Sequence, residues 1–452
     1  MLMYLLGVAL IALGIGVSIA LHEIGHLVPA KLSGVKCPQY MIGFGPTLWS
    51  RQIGETQYGI KAIPLGGYVR MIGMFPPKPG DPEGTLRGSS TGRWSALVED
   101  ARAQSAQEVR PGDEDRVFYK LRTSRKLAVM LGGPFMNLLI ATVLMGGIVT
   151  LHGQHVPVDG AKVKGVVACV KPVTQSKDRG TCQDSDRKSP AAAAGMRAED
   201  VIVEIDGAPV RSSSDVSKLV RPRIDQPTPV VVQRGDQRVT LNVTPIRNSL
   251  PEYDEKGEPR RKADGSFVLT EAGYIGTSTG QNTRLEQQSP TVVPGLVAQG
   301  VVQTGGVILR LPEKLVGIWD AAFGSAERST DSPMSVVGVG RVAGDVASTM
   351  EFMGVKLAGI GDLVVILAML LAGLNIALFV FNLIPLMPLD GGHVIGALWE
   401  GLRRQIARLR GAPDPGYVDV AKGLPIAYAV SILLIGMSVL LIYADLVKPV
   451  KL

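Results

Sequence analysis

The chain has 452 residues, 46% of them hydrophobic, with a formal net charge of +7 and a mean hydropathy of +0.22. That hydropathy excludes an ordinary soluble globular protein, and the length allows two or three domains. The positive charge needs no nucleic-acid partner, because it sits in the segments that the positive-inside rule makes cytoplasmic.

Four apolar stretches, residues 3–28, 127–151, 363–389 and 424–446, are each long enough to cross about 30 Å of hydrocarbon. The first, a span over residues 1–30, carries Leu21-His22-Glu23-Ile24-Gly25-His26. No cationic start and no clear small-residue cleavage site precede His22, which reads against a removable signal peptide. Histidines four apart share one helix face, one turn from each other. Such a pair grips one Zn2+ and leaves Glu23 beside the metal-bound water. A chance match on a soluble surface helix is the alternative. It is disfavoured by the scarcity of histidine, five in the chain, and by the depth of the motif, where ionisable groups are costly and functional.

Residues 31–126 hold 15 Lys and Arg against 9 Asp and Glu. Within them Met41-Ile42-Gly43-Phe44-Gly45-Pro46 leads through Trp49 to residues 58–70, which include Pro64-Leu65-Gly66-Gly67-Tyr68-Val69. The pattern predicts two or three short strands joined by glycine turns. They form either an ordinary cytoplasmic hairpin or a sheet dipping into the membrane, where an unpaired edge takes an extended peptide. A Pro/Gly/Ser-rich linker over 74–92 follows, then a charged, partly helical interfacial segment over 93–126 anchored by Trp94. The second span, 127–151, opens on Gly132-Gly133-Pro134-Phe135-Met136-Asn137, small residues that let helices approach and an asparagine that needs a partner in hydrocarbon.

Residues 152–362 are charge-balanced, 25 against 25, and are expected outside. Residues 160–245 turn soluble and β-rich, and the order of Ser189-Pro190-Ala191, Ala194-Gly195 and Asp200-Val201-Ile202, Ile205-Asp206-Gly207 resembles a bacterial PDZ domain. Such a domain adds a peptide end to a sheet edge; a plain shielding domain is the alternative. Cys169 and Cys182 fall in this oxidising compartment and read as a disulfide closing a short loop, with two free thiols as the alternative. Residues 246–362 read as an exposed polar loop or hairpin with a charged run at 254–262, then amphipathic helices such as 309–323 lying on the membrane surface.

The third span, 363–392, ends Asn382-Leu383-Ile384-Pro385-Leu386-Met387-Pro388-Leu389-Asp390-Gly391-Gly392-His393. Its prolines remove backbone donors and loosen the helix. Asp390 is the expected third metal ligand, completing a two-histidine, one-carboxylate set with a position left for water; an interfacial charge is the alternative. His393 is left outside the set. A cytoplasmic loop over 393–423, with 5 basic residues against 3 acidic, precedes the last span, 424–446. This topology places both termini and the domain outside, and brings Asp390 to the depth of His22 and His26.

The fold class expected is therefore an α-helical polytopic membrane protein of four transmembrane helices, with a membrane-associated β-hairpin or sheet and an inserted extracytoplasmic α+β PDZ domain. The whole chain resembles the site-2 protease family of intramembrane zinc metalloproteases, most closely the single-PDZ bacterial envelope-stress branch (regulator of sigma-E protease-like) in an actinobacterial form. The resemblance rests on the motifs at 22–26, 43–46, 64–69, 133–137 and 382–393. It implies one catalytic Zn2+ on His22, His26 and Asp390, and Glu23 as general base. Asn382 is implied to hold the substrate backbone or the oxyanion, and a strand around Gly43, Gly45, Gly66, Gly67 and Tyr68 to receive unwound substrate. It also implies an inner-membrane location with the site near the cytoplasmic face. The implied partners are single-pass substrates, such as anti-sigma factors already trimmed by an upstream site-1-type protease, or signal-peptide remnants, all within the lipid bilayer. The family spaces its prolines N-x-x-P-x-P-x-L-D-G, whereas here Met387 takes the second place and Pro388 follows. The rival readings are a catalytically silent membrane PDZ adaptor and a metal transporter, the latter without the internal repeats a transporter shows.

Overall fold

The computed structural model describes residues 1–76, 105, 107–170, 182, 187–252, 260, 262, 267–324, 328, 332–352 and 355–450. The linker beyond residue 76, Trp94 and most of the charged run 254–262 lie outside the described residues. The chain divides into two compact units, Met1–His152 with Gln288–Leu452, and Gly153–Gln287. The larger opens with α1 (Leu2–Leu32), β1 (Gln39–Ile53), β2 (Thr56–Arg70) and α2 (Thr123–Gly147). The smaller holds β3 (Gln154–Val166), α3 (Pro190–Ala193), β4 (Val201–Ile205), β5 (Ala208–Pro209) and α4 (Ser213–Val220). It continues with β6 (Thr228–Arg234), β7 (Gln237–Val243), β8 (Ile246–Pro251), β9 (Leu269–Tyr274) and β10 (Thr277–Glu286). The larger unit resumes with α5 (Val293–Leu309), α6 (Leu311–Phe323), α7 (Val336–Thr349), α8 (Ile360–Asn382), α9 (Asp390–Leu409) and α10 (Leu424–Val447).

Among the described residues five helices, rather than four, are long and apolar enough to cross a membrane: Leu2–Leu32, Thr123–His152, Pro290–Leu309, Ile360–Asn382 and Val420–Val447. The extra one contains α5. Its glycines, glutamines and proline dilute the apolar run, so its hydropathy is 1.6 against 2.0 to 2.8 for the others. Its contacts show how it fits. α2 and α10 both begin beside α9: a Cβ on Gly401 would lie 2.9 Å from Thr123, and one on Gly396 would lie 3.0 Å from Val420. Their far ends therefore share the opposite face. The residues before α5 join α2 at that face, through Gln288 N–H to Val149 O at 3.0 Å. The residues after α6 join the end of α10 there, where Ser335 N–H and Oγ donate to Asp445 at 2.7 and 2.6 Å and Arg328 pairs with the same carboxylate. The pair α5–α6 thus leaves from and returns to the same end of the helix bundle.

Two helix crossings fix the larger unit. α1 meets α2 backbone to backbone, since a Cβ on Gly25 would lie 2.2 Å from Gly132 O and one on Gly132 would lie 1.9 Å from Gly25 O. Only residues without side chains allow that approach. Further up, Ile11 and Ile15 of α1 join Val342 and Val346 of α7 and Leu363 and Leu367 of α8 in one apolar cluster. β1 and β2 fold on each other more tightly than a simple hairpin. Met41 is in register with both Tyr68 and Gly59, so residues 39–42 lie between two lengths of β2.

The smaller unit is a sheet in the order β10-β3-β4-β6-β7, with β5 on β4, over a core of Ile202, Ile205, Val230, Val232 and Val243. It runs beyond the expected 160–245: residues 246–287 supply the β8–β9 hairpin and β10, which pairs with β3. Alternating polar residues with threonines hide such an edge strand in the sequence, because one of its faces stays wet. Cys169 and Cys182 form a disulfide.

In each unit an ion pair with a buried carboxylate generates a prediction. Lys126 of α2 donates to both carboxylate oxygens of Glu400 in α9, at 2.8 and 2.9 Å, and the two residues are 5% and 2% exposed. Glu400→Gln should lower the thermal midpoint of the full-length protein in detergent by the equivalent of roughly 3–5 kcal/mol, since it strands a buried ammonium. The double change Lys126→Met with Glu400→Leu should recover most of that loss. In the smaller unit Arg234 donates to Asp200 at 2.8 and 2.7 Å and the Arg197 N–H adds a bond at 2.9 Å, which together hold the Asp200 carboxyl below its usual range. A depressed carboxylate stabilises the fold above its unfolded pKa of about 4 and loses that contribution as pH falls through the lower folded value. Arg234→Met should therefore raise the pH at which β structure melts in an acid titration followed by circular dichroism.

Candidate metal centre and active site

His22 and His26 lie in α1, one turn apart, and Asp390 is the first residue of α9. The three donors converge. His22 Nε2 and His26 Nε2 are 3.3 Å apart, and they lie 3.5 and 3.4 Å from Asp390 Oδ2. Tetrahedral bonds of about 2.0–2.1 Å place two donors about 3.3 Å apart, so the triangle has the edge that zinc requires. Asp390 Oδ2 is buried and, among the described residues, has no hydrogen-bond partner. A bare carboxylate oxygen facing two imidazole nitrogens in an apolar surround is unfavourable unless a cation sits between them. The residues fit a metal ion.

What aims the histidines comes from α2. His26 Nδ1 lies 2.8 Å from Val129 O, to which it donates, leaving Nε2 as the free donor atom. His22 Nδ1 lies 3.0 Å from the Asn137 side-chain amide, and Asn137 is fully buried with its Oδ1 otherwise unpartnered. With the amide oxygen turned to His22, the Nδ1–H is accepted and Nε2 again faces the centre. Between these two contacts the chain needs glycine: a Cβ on Gly133 would lie 2.2 Å from His26 Nε2. Val129, Gly133 and Asn137 recur at i, i+4 and i+8, one face of α2 against α1. The sequence signal was the run of small residues with an asparagine in an apolar span; the asparagine's partner was not legible, because a helix pattern does not say which neighbour it meets. A second buried polar contact sits one turn above His22, where Asn375 of α8 donates to Ser18 Oγ at 2.9 Å.

Glu23 is 8% exposed, directly beside His22 and His26 in the helix. The β2 backbone lies close against Glu23, since a Cβ on Gly67 would lie 2.8 Å from Glu23 Cγ. The strand through Gly66, Gly67 and Tyr68 therefore passes over Glu23. Gly66 has φ +93°, which favours glycine. The five hairpin residues lie along adjoining lengths of β1 and β2. Gly43 and Gly45 sit at the bend near Ile63, while Tyr68 stacks on Phe44 at 6.2 Å between centroids. Asn382 is the last residue of α8, and among the described residues its side chain makes no hydrogen bond to the three donors. The Met387–Pro388 bond in the following turn is cis. His393, in the first full turn of α9, stays outside the donor group and lines a small cavity with Met74, Lys126 and Glu400.

Removing the support of one histidine should weaken metal binding before it weakens the fold. Asn137→Ala should lower zinc affinity roughly 10–100-fold, measured by competition with a chromogenic chelator, with a smaller change in melting temperature.

A model of peptidase family M50 matches residues 10–413. "Zinc metalloprotease Rip1" of Mycobacterium tuberculosis (strain H37Rv) is 32% identical over 100% of both chains. Its namesake in Mycolicibacterium smegmatis is 33% identical over 100% of this chain and 99% of its own. "Zinc metalloprotease RasP" of Bacillus licheniformis is 26% identical over 86% and 88%. With the match spanning both the histidine pair and Asp390, the chain belongs to peptidase family M50.

Proposed function

We propose that this membrane zinc metalloendopeptidase hydrolyses peptide bonds within the membrane-spanning segments of single-span proteins, using His22, His26 and Asp390 to hold the metal and Glu23 as general base. The observation that carries the reading is the triangle of three donors with Glu23 and a strand of β2 beside it, at the ends of apolar helices. When bound, zinc supplies a Lewis acid that polarises the scissile carbonyl and makes water acidic enough to attack near neutral pH. Glu23 accepts the proton of the attacking water and delivers it to the departing amide nitrogen. Burial of Glu23 and the overlying strand exclude bulk water from this transfer.

A helical substrate hides its scissile amide in i to i+4 hydrogen bonds and must open locally. Residues 66–70 of β2 pair with 39–42 on one side only, and they pass over Glu23. An opened substrate adds to the free side of this strand and presents its carbonyl to the centre. Asn382, loosened from helix geometry by the turn that follows it, swings to the substrate backbone on binding. The orientation follows the loop charges: the centre near the cytoplasmic face of the inner membrane, both termini and the unit Gly153–Gln287 outside. That unit serves as a PDZ-type module for peptide ends left by an upstream protease, and trimmed anti-sigma factors and signal-peptide remnants are the substrate class.

Glu23→Gln should retain zinc, read by metal analysis of the purified protein, while cleavage of a co-expressed single-span substrate falls by roughly 10²–10⁴-fold. Undiminished cleavage would remove Glu23 from the reaction and with it this mechanism.

A further inference from the structure

α9 inverts the usual arrangement of a surface helix. The face that packs on the protein is partly polar: Glu400 holds Lys126 and accepts the Val418 N–H at 3.1 Å, and Arg404 lies 3.2 Å from the same carboxylate. The opposite face carries Ile395, Leu398, Trp399, Leu402, Ile406 and Leu409, all exposed. These positions repeat every three or four residues over four turns, a single apolar stripe. Trp399 is 54% exposed and Leu409 82%. Water is a poor partner for such a stripe, which exceeds in length the scattered apolar residues of an ordinary surface.

The occupant follows from position and charge. α9 touches the beginnings of both α2, at Thr123, and α10, at Val420, and its own first residue reaches His22 and His26 in α1. A helix that meets two spans where they begin, and a third within about three turns of its end, lies across them near the level where their apolar surfaces stop. Arg122, Arg125, Arg408 and Arg410 are exposed at the same level, while the acidic Asp414 is engaged by Arg404 at 3.4 Å. An apolar stripe with tryptophan, flanked by arginines, is the composition of a helix that lies in a headgroup boundary and favours anionic lipid.

We infer that α9 beds its outward apolar face in the acyl–headgroup boundary of an anionic lipid leaflet, so that the bilayer holds the helix that begins with Asp390. This rests on the membrane reading given above, and it adds a regulation to it: leaflet composition sets how firmly Asp390 is presented to the histidines. α9 is gripped on one face by the Lys126–Glu400 pair and on the other by lipid, and the centre is complete when both hold.

The test uses the full-length protein in nanodiscs of phosphatidylcholine and phosphatidylglycerol, with and without brominated acyl chains, which quench a tryptophan at that depth. The difference between wild type and Trp399→Phe isolates the Trp399 emission. That emission should be lost in the brominated discs, and lost further as the phosphatidylglycerol fraction rises. Arg408→Gln with Arg410→Gln should abolish the dependence on phosphatidylglycerol. Trp399 emission indifferent to bromine, or a Leu402→Cys variant that forms a disulfide-linked dimer in place of lipid contact, would overturn the proposal. Glu23→Gln protein should give the same quenching as wild type, so this result stands or falls separately from the catalytic assignment.

Discussion

The contact between Gly25 and Gly132, backbone on backbone, is the constraint on which the rest of the larger unit depends. It brings α1 and α2 so close that a carbonyl of one helix, Val129 O, and a side chain on the same face, Asn137, reach the Nδ1 atoms of His26 and His22. A single methyl group at either glycine would push the helices apart by more than a hydrogen bond can stretch. The imidazoles would then lose the partners that fix their tautomers, and the donor triangle would open. Metal affinity in this fold is thus a property of a helix crossing, and the polar groups are positioned by the absence of side chains rather than by their presence.

The same economy recurs over Glu23, where Gly67 lets the β2 backbone approach the carboxylate from the side away from the helix bundle. The buried carboxylate lies against the main chain of a strand whose other edge, among the described residues, is unpaired at residues 66–70. The proposed base and the proposed peptide-binding edge are joined in one contact. Geometry there is shared between an α-helix and a strand within one unit, so a shift of either changes both base and substrate path.

Much of this was legible in the residues, for identifiable reasons. The histidine pair declares itself by a spacing of four, and Asp390 by being a lone carboxylate at the end of an apolar run. The β-rich segment after residue 34 reads as strands from its glycines and β-formers. Its actual pairing does not, since residues 39–42 choosing two partners at once is a matter of tertiary register. α5 was missed as a long apolar helix because eight of its residues between Val293 and Leu309 are glycine, proline, glutamine or threonine. β10 was missed because an edge strand that pairs with β3 across more than a hundred residues leaves no local trace. Asn137 was visible as an asparagine that needed a partner, and the identity of the partner waited on the crossing angle of two helices.

The centre draws its donors from residues 22, 26 and 390, which are made at opposite ends of synthesis. At about 5–20 residues per second, roughly 20–70 s separate translation of the histidine pair from that of the aspartate. During that interval α1 carries its histidines and Glu23 without the aspartate that completes the donor cluster. On the mechanism proposed above, a nascent chain is therefore inactive until α9 is made, and a chain truncated before α9 stays so. If these residues hold the metal as proposed, splitting the donor set across the length of the polypeptide makes completion of the centre one of the last events of synthesis.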